Sequence, residues 1–398
     1  MGISLPDDDG KFVIELAKRI IPIKAISPFS GGEGESKRID ELEKILNELG
    51  FPNYERYDTT DDKGFIRSNL VCQVGSQART LWLIAHVDTV PEGDANLWTH
   101  TPFKASVEGS RIYGRGSADN LQAVFTSLLI LRRADPSRMK YNLGIALVAD
   151  EEMGSRYGIQ YLLTRNIFKK TDLFIVPDWG VPDSLQIEVA EKSILWLKFT
   201  ILGKQGHAST PDEAVNATRE GMRFMLELEK RLNEKYSDSD PLFSPPDSTF
   251  QITMHGANVA NINTIPGKDD FSLDCRILPR YDLDMVIDEI DTTIRSFESS
   301  SRARVKREII QREQSPHATS SESEIVVGLV EAIKKVKGKE PKLIGIGGGT
   351  CAAFFRHQGM DAVVWSTAFN DVYHQADEFC EIDHVLGDAA VISEMLRA

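Results

Sequence analysis

The chain is short of cysteine, of long apolar runs and of positive charge, and each shortage narrows what it can be. Its four cysteines, Cys72, Cys275, Cys351 and Cys380, are widely separated in 398 residues and form no C-x-x-C pair, which argues against a disulfide framework and a thiolate zinc site. No apolar run approaches a membrane span, and the opening MGISLPDDDG has acids where a secretory leader has basic residues. A cytoplasmic location is expected. Lys and Arg number 46 against 60 Asp and Glu, a net charge of -14, so a sequence-independent grip on nucleic acid or anionic membrane is not expected. Small molecules are the expected partners.

The chain has 41% apolar and 27% charged residues, proportions usual for a globular protein, and its length exceeds one ordinary core. Two domains are therefore expected. Residues 11–25 and 36–49 have helical apolar spacing, with Gly50 where a helix C-cap belongs. Strands read at 68–75, 80–86, 143–149 and 174–178, with a helix at 120–133. Short apolar runs separated by helices predict an α/β domain with a mostly parallel sheet covered on both faces.

From residue 193 the style changes. Strands at 193–203, 248–256, 269–277 and 304–311 and helices at 211–234 and 283–298 follow the order strand, helix, two strands, helix, strand. That is a ferredoxin-like α+β pattern, with 236–249 as an exposed loop inside it. After residue 315 the first style returns: a helix to Lys337 with Gly338 as its cap, a strand at 342–346, a helix at 350–358 and a strand at 361–366. The expected organisation is one domain of 1–192 and 315–398, interrupted by a second of 193–314.

Polar groups collect where the strands of the first domain end. LWLIAHVDTVPEG (81–93) runs from five apolar residues into His86 and Asp88; Asp150, Glu151 and Glu152 end another strand, Asp178 a third, and Asp119 follows the turn GRGSA. In an open parallel sheet, ligands gather outside the carboxyl ends of the strands, so these groups should meet in one crevice. His86 and Asp88, two apart, share a side of the strand, and Asp88 can accept a hydrogen bond from the ring nitrogen facing away from a ligand. So many carboxylates in one place call for a cation, and imidazole with carboxylate is a ligand set for zinc or its neighbours. One of Glu151 and Glu152 can coordinate while the other stays free as a base, the combination that metal-assisted hydrolysis needs.

The segments HVDTVP (86–91), YGRGSADN (113–120), ADEEMGS (149–155), VPD (176–178), GKQGHAST (203–210) and YHQADE (373–378) resemble, in order, the motifs of the M20 family of metallopeptidases and deacylases. That family includes acetylornithine deacetylase, succinyl-diaminopimelate desuccinylase, aminoacylase, carboxypeptidases, tripeptide aminopeptidase and dipeptidases. The resemblance implies a two-zinc catalytic domain, with Co2+ or Mn2+ as alternatives, interrupted by a lid that also makes a homodimer. It implies that His86 and Asp178 hold one ion, Glu152 and His374 the other, and that Asp119 bridges them. Glu151 becomes the general base, Asp88 the residue that orients His86, and His207 the lid residue that stabilises an oxyanion, in relatives that of a neighbouring active site. Arg276 and the turn at Gly348 and Gly349 become contacts for a substrate carboxylate.

Singly these signals are weak: H-x-D is often an incidental pair at a strand end, Asp-Glu-Glu a solvated turn, His207 a surface histidine and Arg276 half of an ion pair. Their order gives them weight. His100, His255, His317, His357 and His384 have no comparable setting and are expected to be structural or superficial. GIGGGTCAAFF (345–355) looks like a nucleotide loop but lacks the third glycine of G-x-G-x-x-G and the lysine of a P-loop. DNLQA (119–123) departs from the family's D-x-K-G, with Leu121 and Gln122 replacing Lys and Gly. The expected activity is amide hydrolysis in a small carboxylate-bearing substrate, a short peptide or an N-acyl amino acid. The alternative is a metal-free binding or regulatory protein on the same fold.

Overall fold

The computed structural model describes residues 7–256 and 258–398. In chain order the principal strands are β1 (Tyr54–Thr60), β2 (Ile66–Val74), β3 (Thr80–His86), β4 (Asn142–Val148), β5 (Leu173–Val176), β6 (Gln186–Glu191), β7 (Ser193–Leu202), β8 (Thr249–His255), β9 (Lys268–Ile277), β10 (Arg304–Glu313), β11 (Lys342–Ile346) and β12 (Ala362–Val364). The principal helices are α1 (Asp7–Ile20), α2 (Ser36–Glu48), α3 (Gln122–Arg133), α4 (Ala217–Lys235), α5 (Leu283–Ser300), α6 (Glu324–Lys337), α7 (Ala352–His357) and α8 (Ile382–Leu396).

Two compact units result. The first comprises Met1–Val189, Thr319–Leu343 and Thr350–Ala398; the second comprises Ala190–Ala318 and Ile344–Gly349. The eight-stranded sheet runs β1-β2-β4-β3-β5-β12-β6-β11. Its centre, β4-β3-β5-β12, is parallel, while β1-β2, β2-β4 and β12-β6 pair antiparallel. Every residue of β3, β4 and β5 is buried, as a strand covered on both faces requires. Helix α3 is buried at every position from Gln122 to Leu131, because it packs on β3 and also against α1 and α8.

The second unit has the antiparallel order β8-β9-β7-β10 expected of a ferredoxin-like fold. Alternate residues of β7 (Leu195, Leu197, Phe199, Ile201) pack with Phe224 and Leu228 of α4 and Val286 and Ile290 of α5. This unit is wider than 193–314. Phe243, in the loop after α4, accounts for the strip Ile344–Gly349: Gly345 donates to the carbonyl of Leu242 at 2.7 Å, and a Cβ on Gly345 would lie 2.3 Å from the Phe243 ring.

Three helix ends depart from the sequence reading for local reasons. The first helix stops at Ile20 rather than 25, since Pro22 disfavours helical backbone before it. The helix expected from 120 starts at Gln122, because Asp119 and Asn120 have non-helical backbone. The helix expected from 211 starts at Ala217, where Asn216 caps it by accepting the N–H of Arg219 at 3.0 Å. Gly50 and Gly338 have the left-handed backbone of helix caps, with φ of 85° and 70°.

Candidate metal centre

The site lies in the first unit, at the carboxyl ends of its parallel strands. His86 is the last residue of β3 and is buried, as are Asp88 and Asp150. Its Nε2 stands 2.8 Å from Asp119 Oδ1 and 3.4 Å from Asp178 Oδ1. The other oxygen of Asp119 stands 3.1 Å from His374 Nε2, which is also 3.1 Å from Glu152 Oε1. The geometry makes two groups, His86–Asp119–Asp178 and Asp119–Glu152–His374, each with its donor atoms within 4.8 Å of one another. Asp119 belongs to both, one oxygen to each.

The donor spacing fits metal ions. Ligand atoms about 2.1 Å from a tetrahedral zinc lie roughly 3.4 Å from one another, close to the separations above. The charges fit as well. Burial favours the neutral ring of His86, but Asp178 and then Asp119 outweigh it and raise its pKa well above the usual histidine range. Asp119 and Glu152 push His374 up to about 10. Burial pushes Glu152 up to about 7 and, with Asp178, raises Glu151 well above the carboxylate range; burial also acts on Asp119, but His374 and His86 hold it low. A cluster that draws in protons in this way offers its negative charge to a cation.

The residues behind the donors fix them. The nearer acceptor for His86 Nδ1 is the backbone carbonyl of Asp88, at 3.1 Å, with its carboxylate at 3.4 Å. That carboxylate instead accepts the backbone N–H groups of Glu151 and Glu152, each at 3.1 Å, so Asp88 holds the turn carrying both glutamates. The loop before Asp119 wraps a carboxylate that sequence reasoning left without a role. Buried Glu378 accepts the N–H groups of Gly116, Ala118 and Asp119, each at 3.0 Å, and the guanidinium of Arg115 at 2.7 Å. Its signal was an acid four residues after His374. Asn120 Nδ2 donates to Asp178 Oδ1.

His207, Arg276, Gly348 and Gly349 belong to the second unit. His207 is exposed, and its Nδ1 faces both the hydroxyl (2.7 Å) and the N–H (3.2 Å) of Ser209. Arg276 donates from Nε and Nη2 to Asp274 (2.9 and 3.1 Å) and from Nη1 to the carbonyl of Gly347 (2.8 Å), leaving two of its five N–H donors. Gly348 has open space where a side chain would start; Gly349 has Glu313 and Glu191 oxygens 3.8 and 4.0 Å from that point. The surroundings of this turn are therefore acidic. His100 pairs with Asp377 and Glu108, and His255 with Asp269.

A profile described as peptidase family M20/M25/M40 matches residues 82–398. The chain belongs to this family. Over 405 residues it is 39% identical to an uncharacterized metallohydrolase of Methanocaldococcus jannaschii, covering 96% of this chain and 98% of that one. It is 28% identical over 406 residues to the acetylornithine deacetylase of Photorhabdus laumondii, covering 100% and 98%. Among solved structures, a tripeptidase of Staphylococcus aureus superposes with a TM-score of 0.76 over 97% of both chains at 17% identity, a likeness of fold. This M20 chain is a metallohydrolase, and the α/β fold with its inserted domain is that of the family. Among the described residues no helix is long and apolar enough to cross a membrane.

Proposed function

We propose that this M20 hydrolase cleaves an amide bond in a small substrate bearing a free carboxylate, either a short peptide or an N-acyl amino acid. The observation that carries the reading is the shared position of Asp119, whose two oxygens face two separate imidazoles, each paired with a further carboxylate. His86, Asp119 and Asp178 would hold one divalent ion, and Asp119, Glu152 and His374 the other. Zinc is the reading for both ions, with cobalt or manganese as substitutes; when bound they supply polarisation of the scissile carbonyl and a more acidic water.

Glu151, adjacent to a ligand yet outside both donor groups, would take the proton from the attacking water and deliver it to the departing amine nitrogen. His207 is arranged as a donor. With Nδ1 accepting from Ser209, its ring proton sits on Nε2, where it can hydrogen-bond a developing oxyanion. The two uncommitted donors of Arg276 and the turn at Gly348 and Gly349 serve the substrate carboxylate, with the open space at Gly348; the Glu313 and Glu191 oxygens near Gly349 oppose it. A homodimer through the inserted unit is supported by exposed Met222 and Leu226, four apart on α4, and by exposed Met254. The four free, buried cysteines suit a cytoplasmic protein.

Deacetylation in one relative and peptide cleavage in a structural neighbour bracket the substrate class. The deciding experiment is hydrolysis of free di- and tripeptides beside N-acetyl and N-succinyl amino acids, with zinc, cobalt or manganese and after chelation. Metal-dependent turnover in one half of that panel is expected. Bound metal with no turnover in either half would sink the reading. Glu151→Gln should lower kcat by about 10²- to 10⁴-fold with metal still bound; wild-type turnover in that variant removes Glu151 from the reaction.

A further inference from the structure

Strand β2 carries a second hold on the catalytic turn. Arg67 and Asn69, two apart, point to one face and grip residues 149–157 at both ends. Asn69 accepts the N–H of Ala149 at 2.9 Å and donates to the carbonyl of Tyr157 at 2.9 Å. Arg67 lies 2.9 Å from Asp150 Oδ1 by Nη1, donates to Glu35 at 2.8 Å from Nε and again from Nη2, and has Asp61 Oδ2 at 3.7 Å. All four of these charged residues are buried, Arg67 and Glu35 completely.

Asp150 is the residue through which this hold reaches the chemistry. It immediately precedes Glu151 and Glu152 and has a left-handed backbone, φ 67°. Its carbonyl accepts the N–H of Ser155 at 2.6 Å, and its Oδ2 accepts that of Tyr157 at 3.1 Å. The turn is thus hydrogen-bonded from one side by Asp88 at the amides of Glu151 and Glu152 and from the other by Asn69 at Ala149 and Tyr157, with Arg67 paired to Asp150 by charge. A buried ion network is a weak source of net stability, because desolvation offsets much of the attraction. The Arg67 fork, Nε and Nη2, is taken by Glu35, which holds the remaining nitrogen, Nη1, against Asp150 Oδ1 as a close ion pair without hydrogen-bond alignment; what it provides is a fixed place for the charge.

We propose that Arg67, acting through Asp150, is a positioning residue that sets the placement of Glu152 for its metal ion and of Glu151 for proton transfer. The inference rests on the roles given above to Glu151 and Glu152. Lysine keeps the charge of Arg67 but not its planar fork. The test compares wild type, Arg67→Lys, Asp150→Asn and the double variant. The readouts are zinc affinity by chelator competition for each of two equivalents, melting temperature, and kcat and KM on a substrate the wild type cleaves.

Each single variant should bind the ion of Glu152 and His374 some 10- to 100-fold more weakly, the range for residues that orient metal ligands, and leave the ion of His86 and Asp178 unchanged. With both metals saturating, kcat should fall at least about tenfold while KM stays within about threefold, as for loss of an interaction made in the transition state. The double variant should be no worse than either single one, since both break one connection. Additive losses overturn the proposal, as does equal weakening of both ions in step with the melting temperature, or a lowered melting temperature with affinity and kcat intact. If Arg67→Lys does not fold, Asp150→Asn decides alone, by the same selective loss. The underlying reading fails differently: wild type would then bind fewer than two equivalents or turn over without metal.

Discussion

Replacing Asp88 by Asn isolates one buried carboxylate that serves the metal centre without belonging to either donor group. Asp88 is fully buried, and its two oxygens accept two backbone N–H groups, those of Glu151 and Glu152, each at 3.1 Å. An amide offers one oxygen, so one N–H keeps its acceptor and the other faces an NH2 group. A hydrogen bond to a charged group contributes about 1.5–3 kcal/mol, and a buried donor left unsatisfied costs about 1–3 kcal/mol. A total loss of roughly 2–4 kcal/mol is expected, shared between folding and metal affinity.

The two shares can be measured separately. On the folding side, about 2 kcal/mol in a protein of this size lowers the melting temperature by roughly 2–3 °C. On the metal side, chelator competition should show affinity reduced about 10- to 100-fold, chiefly for the ion held through Glu152. The nearer partner of His86 Nδ1 is the backbone carbonyl of Asp88, which the substitution leaves in place, so the ion on His86 should be less affected. Unchanged melting temperature together with zinc affinity within twofold of wild type would refute this account of Asp88.

Other expectations follow from single features. Saturating zinc should raise the melting temperature and chelation should reverse it, because an ion at 100 times its Kd adds about 2.7 kcal/mol; differential scanning calorimetry with and without chelator checks this, and an unchanged transition contradicts it. Gly158→Ala should destabilise by about 3 kcal/mol or more, because the new Cβ would lie 1.8 Å from the carbonyl oxygen of Ala149; Gly154→Ala, with open space but φ 97°, should cost only about 1–2 kcal/mol in urea unfolding. Burial pushes Asp388 up to about 6 from 3.8, even though it accepts the N–H and hydroxyl of Thr367. The folded state therefore holds this proton more tightly than the unfolded chain, and stability from this group falls as pH rises from about 4 to 6, by roughly 3 kcal/mol. Asp388→Asn should flatten that part of the urea-midpoint profile, and an unaltered slope would show that another group is responsible.

The donors were legible in the sequence because each interrupts an apolar pattern: His86 and Asp88 end a buried strand, Glu151 and Glu152 follow another, and Asp178 a third. Their supports were not. Arg67 meets Glu35 and Asp150, and Glu378 meets Asp119, across separations that no local periodicity reports. The i, i+2 spacing predicts Asp88 as a partner for the His86 ring; its carboxylate lies 3.4 Å from that ring and also accepts two amides some 60 residues away, which no local spacing reports. Strand β1, YERYDTT, has no apolar run because it is an edge on which no side chain is fully buried. The ferredoxin-like order was readable because β7 and β9 alternate cleanly between buried and less buried positions.

The position of β12 has a consequence for biosynthesis. This strand pairs with β5 between Ala362–Val364 and Phe174–Val176, yet the ribosome makes it about 190 residues later. At roughly 5–20 residues per second, β5 waits on the order of 10–40 s with that edge unpaired, while the inserted unit is made in the interval. His374 emerges later still, so a nascent chain cannot assemble its second donor group until residue 374 has been made. A product truncated before Ala362 would carry the open edge permanently. Such a product is a substrate for chaperones and proteases rather than a weakened enzyme.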